Sequence, residues 1–200
     1  MKKYTYLILL ILLASTLTAG CASDTEGSDV KEVKTDVSSA AENAQQEQTT
    51  TPVKGSFENP AGIGETVVLT STGNTYEISV SEVLRGEQAN YIVKKENEFN
   101  ENPATGYEYL LVKMKVAYTK GSGPTSMSDF NFKAFCDGVE CKSTYAVLPN
   151  DYITFGTGDV MPGATKEGWV QYTVPQDKEV ILSYQPNMFD DSTAYISIGQ

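Results

Sequence analysis

Two cysteines in the second half of the chain have a spacing that suggests disulfide chemistry. Cys136 and Cys141 flank the four residues from Asp137 to Glu140. Asp-Gly between alternating apolar residues predicts a tight hairpin, and a hairpin can bring two such cysteines within disulfide distance. A bond across so short a loop would add about 2 kcal/mol of stability in the chain-entropy account. We favour a structural disulfide, with a reduced pair or a redox switch as the alternatives.

The chain contains no histidine, and this limits the chemistry open to it. Histidine general bases, Ser-His and Cys-His nucleophile pairs and most zinc sites are excluded. The glycine-based phosphate-binding and nucleophile-elbow motifs do not occur in the sequence. A carboxylate pair of the glycosidase kind is the one catalytic option that the composition leaves. We expect no enzyme activity and no cofactor.

The acidic pair Asp190-Asp191 is the weak candidate for a metal site. Asp177 and Glu179 lie near it in sequence, and carboxylate oxygens are ligands for calcium. Calcium requires six to eight oxygens in a set geometry, and the spacing of an EF-hand loop is missing. A solvated acidic loop is therefore the favoured interpretation.

The third cysteine, Cys21, follows a segment with the properties of an export signal. Lys2 and Lys3 precede an apolar run from Leu7 to Ala14, which is shorter than the roughly 20 residues that span a bilayer. The residues before Cys21 are Thr18-Ala19-Gly20. They resemble the bacterial lipobox, although Thr18 stands where that motif usually has leucine.

The lipobox resemblance implies that Cys21 is lipidated and that the chain is cleaved before it. We therefore expect residues 1–20 to be a lipoprotein signal peptide. The protein would be anchored in the cell membrane through Cys21, on the extracytoplasmic side. Ordinary secretion with a free Cys21 and an uncleaved anchor helix are the alternatives.

The charge of the chain argues against nucleic acid as a partner. The net charge is -11, and removing residues 1–20 takes away two lysines and no acid, so 13 minus 26 leaves -13. Such a surface repels phosphate backbones and anionic lipid headgroups. We expect membrane attachment through lipid alone, and a protein partner whose identity the sequence does not give.

The composition changes near residue 55. Residues 22–55 contain no aromatic residue and are rich in Ser, Thr, Glu, Gln and Ala. A segment of this kind cannot bury enough apolar surface to offset its conformational entropy. We interpret residues 21–55 as a lipidated cysteine with a disordered tether, and residues 56–200 as the folded domain.

Alternating apolar residues predict strands throughout residues 56–200. The longest run lies between Tyr107 and Thr119, with Leu110 and Val112 on one face. Gly73-Asn74 and Asp137-Gly138 read as hairpin turns. Only Glu87 to Glu96 suggests a helical turn, and no helix is predicted to cover a sheet face. The other predicted strands are centred on Val67–Leu69, Tyr76–Val80, Phe130–Ala134, Tyr145–Val147, Gly168–Val174, Val180–Tyr184 and Ala194–Ile198.

About seven or eight short antiparallel strands predict an all-β sandwich. The order of several segments resembles the telokin-like, immunoglobulin-like domain of unknown function found on many bacterial lipoproteins. That resemblance covers about residues 60–199 and implies an immunoglobulin-like sandwich without established catalysis. The segments are Gly64-Glu65, Tyr76–Val80, Asn102–Leu110, Phe130-Asn131-Phe132 with Asp137-Gly138, and Met161-Pro162-Gly163 with Gly168 to Pro175.

The aromatic residues do not by themselves define a binding surface. Tyr76, Tyr118, Tyr172 and Tyr184 occupy inward strand positions, whereas Trp169 fits either the surface or the core. We expect a non-catalytic module that binds a protein partner or supports the envelope structurally. A module that binds a small ligand, glycan or cation is the first alternative, and a carboxylate-based hydrolase is the second.

Overall fold

The computed structural model describes residues 52–199. The predicted signal peptide, Cys21 and nearly all of the predicted tether lie outside this range. Within it, the chain forms eleven strands, one α-helix and one turn of 3-10 helix at Asp129–Asn131. The strands and helix are β1 Thr66–Ser71, β2 Asn74–Arg85, α1 Gly86–Glu96, β3 Tyr107–Lys120, β4 Thr125–Met127, β5 Phe132–Cys136, β6 Val139–Glu140, β7 Lys142–Ser143, β8 Gly158–Val160, β9 Thr165–Pro175, β10 Val180–Tyr184 and β11 Ala194–Gly199.

The strands build an antiparallel β-sandwich, as the sequence predicts. One sheet has the order β1-β2-β3-β9-β7, the other has the order β11-β10-β5-β6, and β4 pairs with β8. Seven of the strands have five residues or more, which agrees with the predicted number of main strands. The architecture is the expected immunoglobulin-like sandwich.

The long strands β2, β3 and β9 place alternate residues between the sheets. Ile78 pairs with Val116 and Val80 with Met114, and Val112 pairs with Val170 on the other side of β3. All six are at most 3% exposed. Burial of side chains of this size contributes about 1.5–3 kcal/mol each, so the period-two pattern fixes which face is inside.

Four tyrosines lie in the core, as predicted from their inward positions. Tyr76, Tyr118, Tyr172 and Tyr184 are at most 2% exposed. The rings of Tyr76 and Tyr118 stack with centroids 5.3 Å apart. The Tyr118 hydroxyl donates to Asn74 Oδ1 at 2.9 Å, whereas the buried Tyr184 hydroxyl has no partner in residues 52–199.

The expectation that no helix covers a sheet is wrong. Helix α1 lies against the outer face of the five-stranded sheet and contributes Ala89 and Val93 to a second apolar cluster. Tyr109, Leu111 and Trp169 of the sheet belong to the same cluster. Trp169 is 4% exposed, so the position that the sequence left open is a core position of this second layer.

The predicted strand at Tyr145–Val147 is also wrong. The Asn100 side chain takes the place of a neighbouring strand there, because its Oδ1 accepts from Val147 N at 2.9 Å and its Nδ2 donates to Val147 O at 2.9 Å. Ala146 and Leu148 pack on the Trp169 cluster, while Tyr145 and Val147 are exposed. The alternation therefore reflects a loop with one buried side.

The predicted strand start at Phe130 is replaced by the 3-10 turn. Ser128 caps this turn, since its hydroxyl accepts from Phe130 N and its own N–H donates to Asn131 Oδ1. Phe130 is 76% exposed, and β5 begins two residues later, at Phe132.

In residues 52–199, no helix is long and apolar enough to cross a membrane.

Candidate functional site

Cys136 and Cys141 meet at a corner where the chain passes from one sheet to the other. Cys136 ends β5 and pairs with Val139 of β6 in the four-stranded sheet. Directly after Cys141, β7 joins the five-stranded sheet by pairing with β9. Asp137 and Gly138 form the intervening turn with φ values of 51° and 77°, which is the left-handed geometry expected of a two-residue Asp-Gly hairpin.

The Sγ atoms of Cys136 and Cys141 lie 2.8 Å apart. A disulfide requires about 2.05 Å between the sulfurs, so closing the bond needs a movement of under 1 Å. Burial, with the hydrogen bond to Cys136 as the next cause, raises the pKa of Cys141 to about 12. At neutral pH the Cys141 thiol is therefore protonated and a poor nucleophile.

The hairpin of residues 135–141, which we call the hairpin ridge, separates two hollows on the surface. The first hollow has a volume of about 560 Å³. It lies between the ridge and the loop before β3, and its wall includes Pro103, Tyr107, Val139, Cys141 and Pro175. Val139 is 70% exposed, so the ridge presents an apolar side chain at this hollow.

The second hollow, of about 330 Å³, lies on the other side of the ridge. It occupies the outer face of the four-stranded sheet and is lined by Phe57, Phe135, Ile181 and Tyr195. The rings of Phe57 and Tyr195 meet edge to face with centroids 5.5 Å apart. Phe57 keeps 60% of its surface exposed, so this apolar face is open to a partner.

Ion pairs border the ridge and leave acidic groups beside it. Lys178 Nζ lies 2.8 Å from Asp137 Oδ2, and Lys133 Nζ lies 2.9 Å from Glu140 Oε2. Glu179, which also lines the second hollow, accepts a hydrogen bond from the Ser197 hydroxyl. The second hollow is thus mainly apolar with charged residues at its border, whereas the first hollow combines apolar residues with polar ones such as Asn102 and Lys142.

A comparison with models of protein families shows to which family the chain belongs. The profile described as "Domain of unknown function (DUF4352)" matches residues 62–194. The chain belongs to this DUF4352 family. The telokin-like, immunoglobulin-like resemblance seen in the sequence is thereby confirmed, and no catalytic family is indicated.

Solved structures show the same fold. The DUF4352 chain is 13% identical to a predicted lipoprotein, ycdA, from Bacillus subtilis, with a TM-score of 0.52. The match covers 68% of this chain and 39% of that protein, so the likeness concerns less than half of the relative. At this identity it establishes the fold alone.

Two further structures match at lower TM-scores. The yjhA protein of Bacillus subtilis is 18% identical, with 69% of this chain and 98% of that chain covered and a TM-score of 0.49. The secreted protein MPT63 of Mycobacterium tuberculosis is 14% identical, with 76% and 100% covered and a TM-score of 0.48. No curated protein matches the sequence significantly.

The acidic pair of the DUF4352 domain lies in a loop where Asp190 has partners of its own. Asp190 Oδ2 accepts from the Ser71 hydroxyl at 2.6 Å, and Oδ1 accepts from Ser192 N and Oγ. These hydrogen bonds, led by that of Ser71, lower the pKa of Asp190. Residues 52–199 contain no group of three or more acidic, cysteine or histidine side chains placed to hold a metal, around Asp191 or elsewhere.

Sequence reasoning missed the residues of the second hollow. Phe135 and Ile181 occupy outward positions, whereas their chain neighbours Ala134 and Leu182 are buried on the inner face of the sheet. Apolar residues on both faces of a strand indicate that the outer face is also covered or binds something. That signal is present in the sequence, whereas Phe57 lies before the first strand, in a segment without a strand pattern.

Proposed function

We propose that this DUF4352 domain is a non-catalytic protein-binding module, held at the extracytoplasmic face of the cell membrane by lipid on Cys21. The observation that carries the proposal is the exposed apolar surface of the hairpin ridge and of the hollows on its two sides. Contiguous exposed apolar surface bordered by polar residues is typical of protein interaction sites. An anchored module with such a surface binds a partner or connects components of the envelope.

The geometry of the ridge suits a protein partner. Val139 lines the first hollow, and the second hollow lies on the other side of the ridge, so a partner that straddles the ridge would bury several apolar side chains at once. Phe57 and Tyr195 supply aromatic groups of the type that dominate binding energies at interfaces. The partner would present aromatic or branched aliphatic side chains to these hollows.

The acidic groups around the hollows favour a partner that is basic around its apolar contact. Asp137 and Glu140 are paired with lysines, while Glu179 and Glu101 line the hollows without a lysine partner among the ion pairs of residues 52–199. The whole chain carries a net charge of -11. A partner with lysine or arginine around its apolar residues would associate faster and bind more tightly at low salt.

The proposed location is supported by the sequence before the domain and by one relative. The lipobox-like residues end at Cys21, and the structurally similar ycdA protein is itself a predicted lipoprotein. A lipid-anchored chain that carries a binding surface can hold its partner at the membrane.

Site-specific photocrosslinking in intact cells tests the docking surface. A photoreactive phenylalanine analogue replaces Val139 on the ridge, Tyr107 in the first hollow, or Tyr91 on α1 as a control with comparable exposure, 64%. We expect one and the same adduct from Val139 and Tyr107, and none from Tyr91. The captured protein is then identified, purified and titrated against the full chain at increasing salt.

A second variant tests whether the crosslinked partner contacts both hollows. Phe57→Ala, combined with the crosslinker at Tyr107, should reduce the adduct at least tenfold, since both hollows contribute to one interface. The thermal melting temperature serves as the folding control. Equal adducts from Tyr91, or binding that does not weaken with salt, would contradict the proposal.

A further inference from the structure

The edge of the five-stranded sheet has a gap next to β9, beyond β7 as seen from the hairpin ridge, and Thr144 lines both this gap and the first hollow. Thr144 N donates to Gln171 O at 3.0 Å, and the chain then leaves the edge. It returns where Trp169 N donates to Ile153 O at 2.9 Å. Gly168 permits this return, because a Cβ there would lie 2.5 Å from Phe155 Cα. Between the two points lies a pocket of about 220 Å³.

Gln171, which lines this pocket, has an unsatisfied polar group. The residue is 7% exposed, and its Oε1 has no hydrogen-bond partner in residues 52–199. Buried polar side chains are almost always hydrogen-bonded. The terminal torsion of glutamine is broad and roughly two-fold, so either end of the amide can turn toward a group in the pocket.

Asp129 and two tyrosines complete a polar wall. Burial, and next the charge of the nearby Asp129 carboxylate, raises the pKa of both Tyr145 and Tyr172. Both hydroxyls therefore remain protonated and can donate as well as accept hydrogen bonds. The Asp129 carboxylate and the Gln171 amide add acceptors, and Ser143 and Thr144 also line the pocket.

Tyr145 gives the pocket an aromatic side. Its side chain is 66% exposed, unlike that of Tyr172. Trp169, at the other side of the gap, is the one tryptophan of the chain and also lines the pocket. An apolar or aromatic wall with a few convergent polar groups is the usual composition of a small-molecule site.

We infer that this pocket binds a neutral, hydroxyl-rich ring of monosaccharide size. Hydroxyl groups of such a ring can donate to Asp129 and Gln171 and accept from the tyrosine hydroxyls, while one face of the ring lies on Tyr145. The volume is below the roughly 300 Å³ at which pockets for drug-sized ligands begin, so a single ring fits. Asp129 disfavours an anion, and residues 52–199 offer no acidic cluster for a metal here.

Trp169 fluorescence provides a direct test, because no other residue of the chain is a tryptophan. The full-length chain, in a detergent without a sugar headgroup, is titrated with D-glucose, D-galactose, N-acetyl-D-glucosamine and myo-inositol. At least one should give a saturable change with a Kd of roughly 1–10 mM, the range expected for about a dozen non-hydrogen atoms. Glucuronate, which is anionic, should bind at least tenfold more weakly than the neutral ring that binds best.

Three variants locate the binding. Tyr145→Ala removes the aromatic side and Gln171→Met removes the amide, and each should weaken binding at least tenfold. Asp129→Asn should bring the affinity for glucuronate close to that for the neutral ring. Tyr91→Ala, at another exposed tyrosine, should leave the affinity unchanged.

Either of two results would overturn this inference. One is the absence of a saturable signal from any neutral ring, which would make the pocket a site for water only. The other is unchanged binding by the folded Tyr145→Ala variant. Neither result bears on the hairpin ridge, whose test places its crosslinkers at Val139 and Tyr107.

Discussion

At the scale of single residues, the feature with the clearest chemical consequence is the cysteine pair Cys136 and Cys141. In an oxidising compartment outside the cytoplasm, exchange with another disulfide can oxidise the pair. The two cysteines lose two protons and two electrons as their sulfur–sulfur bond forms, and the other disulfide is reduced to two thiols. The raised pKa of Cys141 leaves little thiolate on that residue at neutral pH, so attack by Cys141 on another disulfide is slow without a catalyst. The bond would fix the corner between the two sheets.

We predict that the exported protein contains this disulfide and that reducing it lowers the free energy of unfolding by about 2 kcal/mol, as expected for a closed loop of six residues. Urea denaturation with and without reductant measures the difference. The Cys136→Ala/Cys141→Ala variant is the control, and its stability should not respond to reductant. Two alkylatable thiols at these positions in the denatured, unreduced protein would contradict the prediction.

The residues of the candidate sites differ in how far the sequence reveals them. The cysteine spacing and the Asp137-Gly138 turn are local, so their proximity could be predicted. The pocket at the sheet edge could not, because Asp129 and Gln171 are 42 positions apart and meet only through the packing of the two sheets. Gln171 carries no local signal of its role.

Among the elements, β2, β9 and β11 end, and β3 begins, at one largely buried ion pair. Arg85 and Glu108 are 13% and 12% exposed and form a salt bridge. The Arg85 guanidinium also donates to Pro175 O at 3.0 Å and to Gly199 O at 3.2 Å. Because Gly199 belongs to the second sheet, this side chain connects the two layers of the sandwich.

We predict that Arg85→Ala lowers the free energy of unfolding by about 3 kcal/mol, since it leaves the Glu108 carboxylate buried without its counter-charge. Lys113→Ala is the matched control. It removes an ion pair with Glu167 in which the side chains are 34% and 42% exposed, and such pairs contribute at most about 1 kcal/mol. Urea denaturation compares the two variants, and equal losses would show that the buried pair has no special role.

The elements also show where period-two patterns mislead. The alternation from Tyr107 to Thr119 predicts β3 correctly, because β2 pairs with residues 110–120 and β9 pairs with residues 107–117 of this strand. The same alternation around Ala146 predicts a strand that does not form, since the hydrogen bonds of Val147 go to the Asn100 side chain. A pattern reports which side is buried and does not identify the hydrogen-bond partner.

For the whole molecule, the sequence predicts three parts and the structure describes one of them. The folded part begins slightly before residue 56, because Gly55 already pairs with the sandwich: Tyr195 N donates to Gly55 O at 2.8 Å. The binding surfaces that we propose would act at a membrane only if the chain is anchored there. The proposed arrangement of the whole protein therefore depends on Cys21.

We predict that Cys21→Ala releases the protein into the medium or leaves it unprocessed, because the variant cannot receive the lipid that anchors it. Stable attachment requires two or more acyl chains, and the negative domain gains nothing from anionic lipid headgroups. Cell fractionation and the mass of the processed chain measure the outcome, with Cys136→Ala as the cysteine control that should remain on the membrane. A Cys21→Ala chain of mature size in the membrane fraction would mean that another feature anchors it.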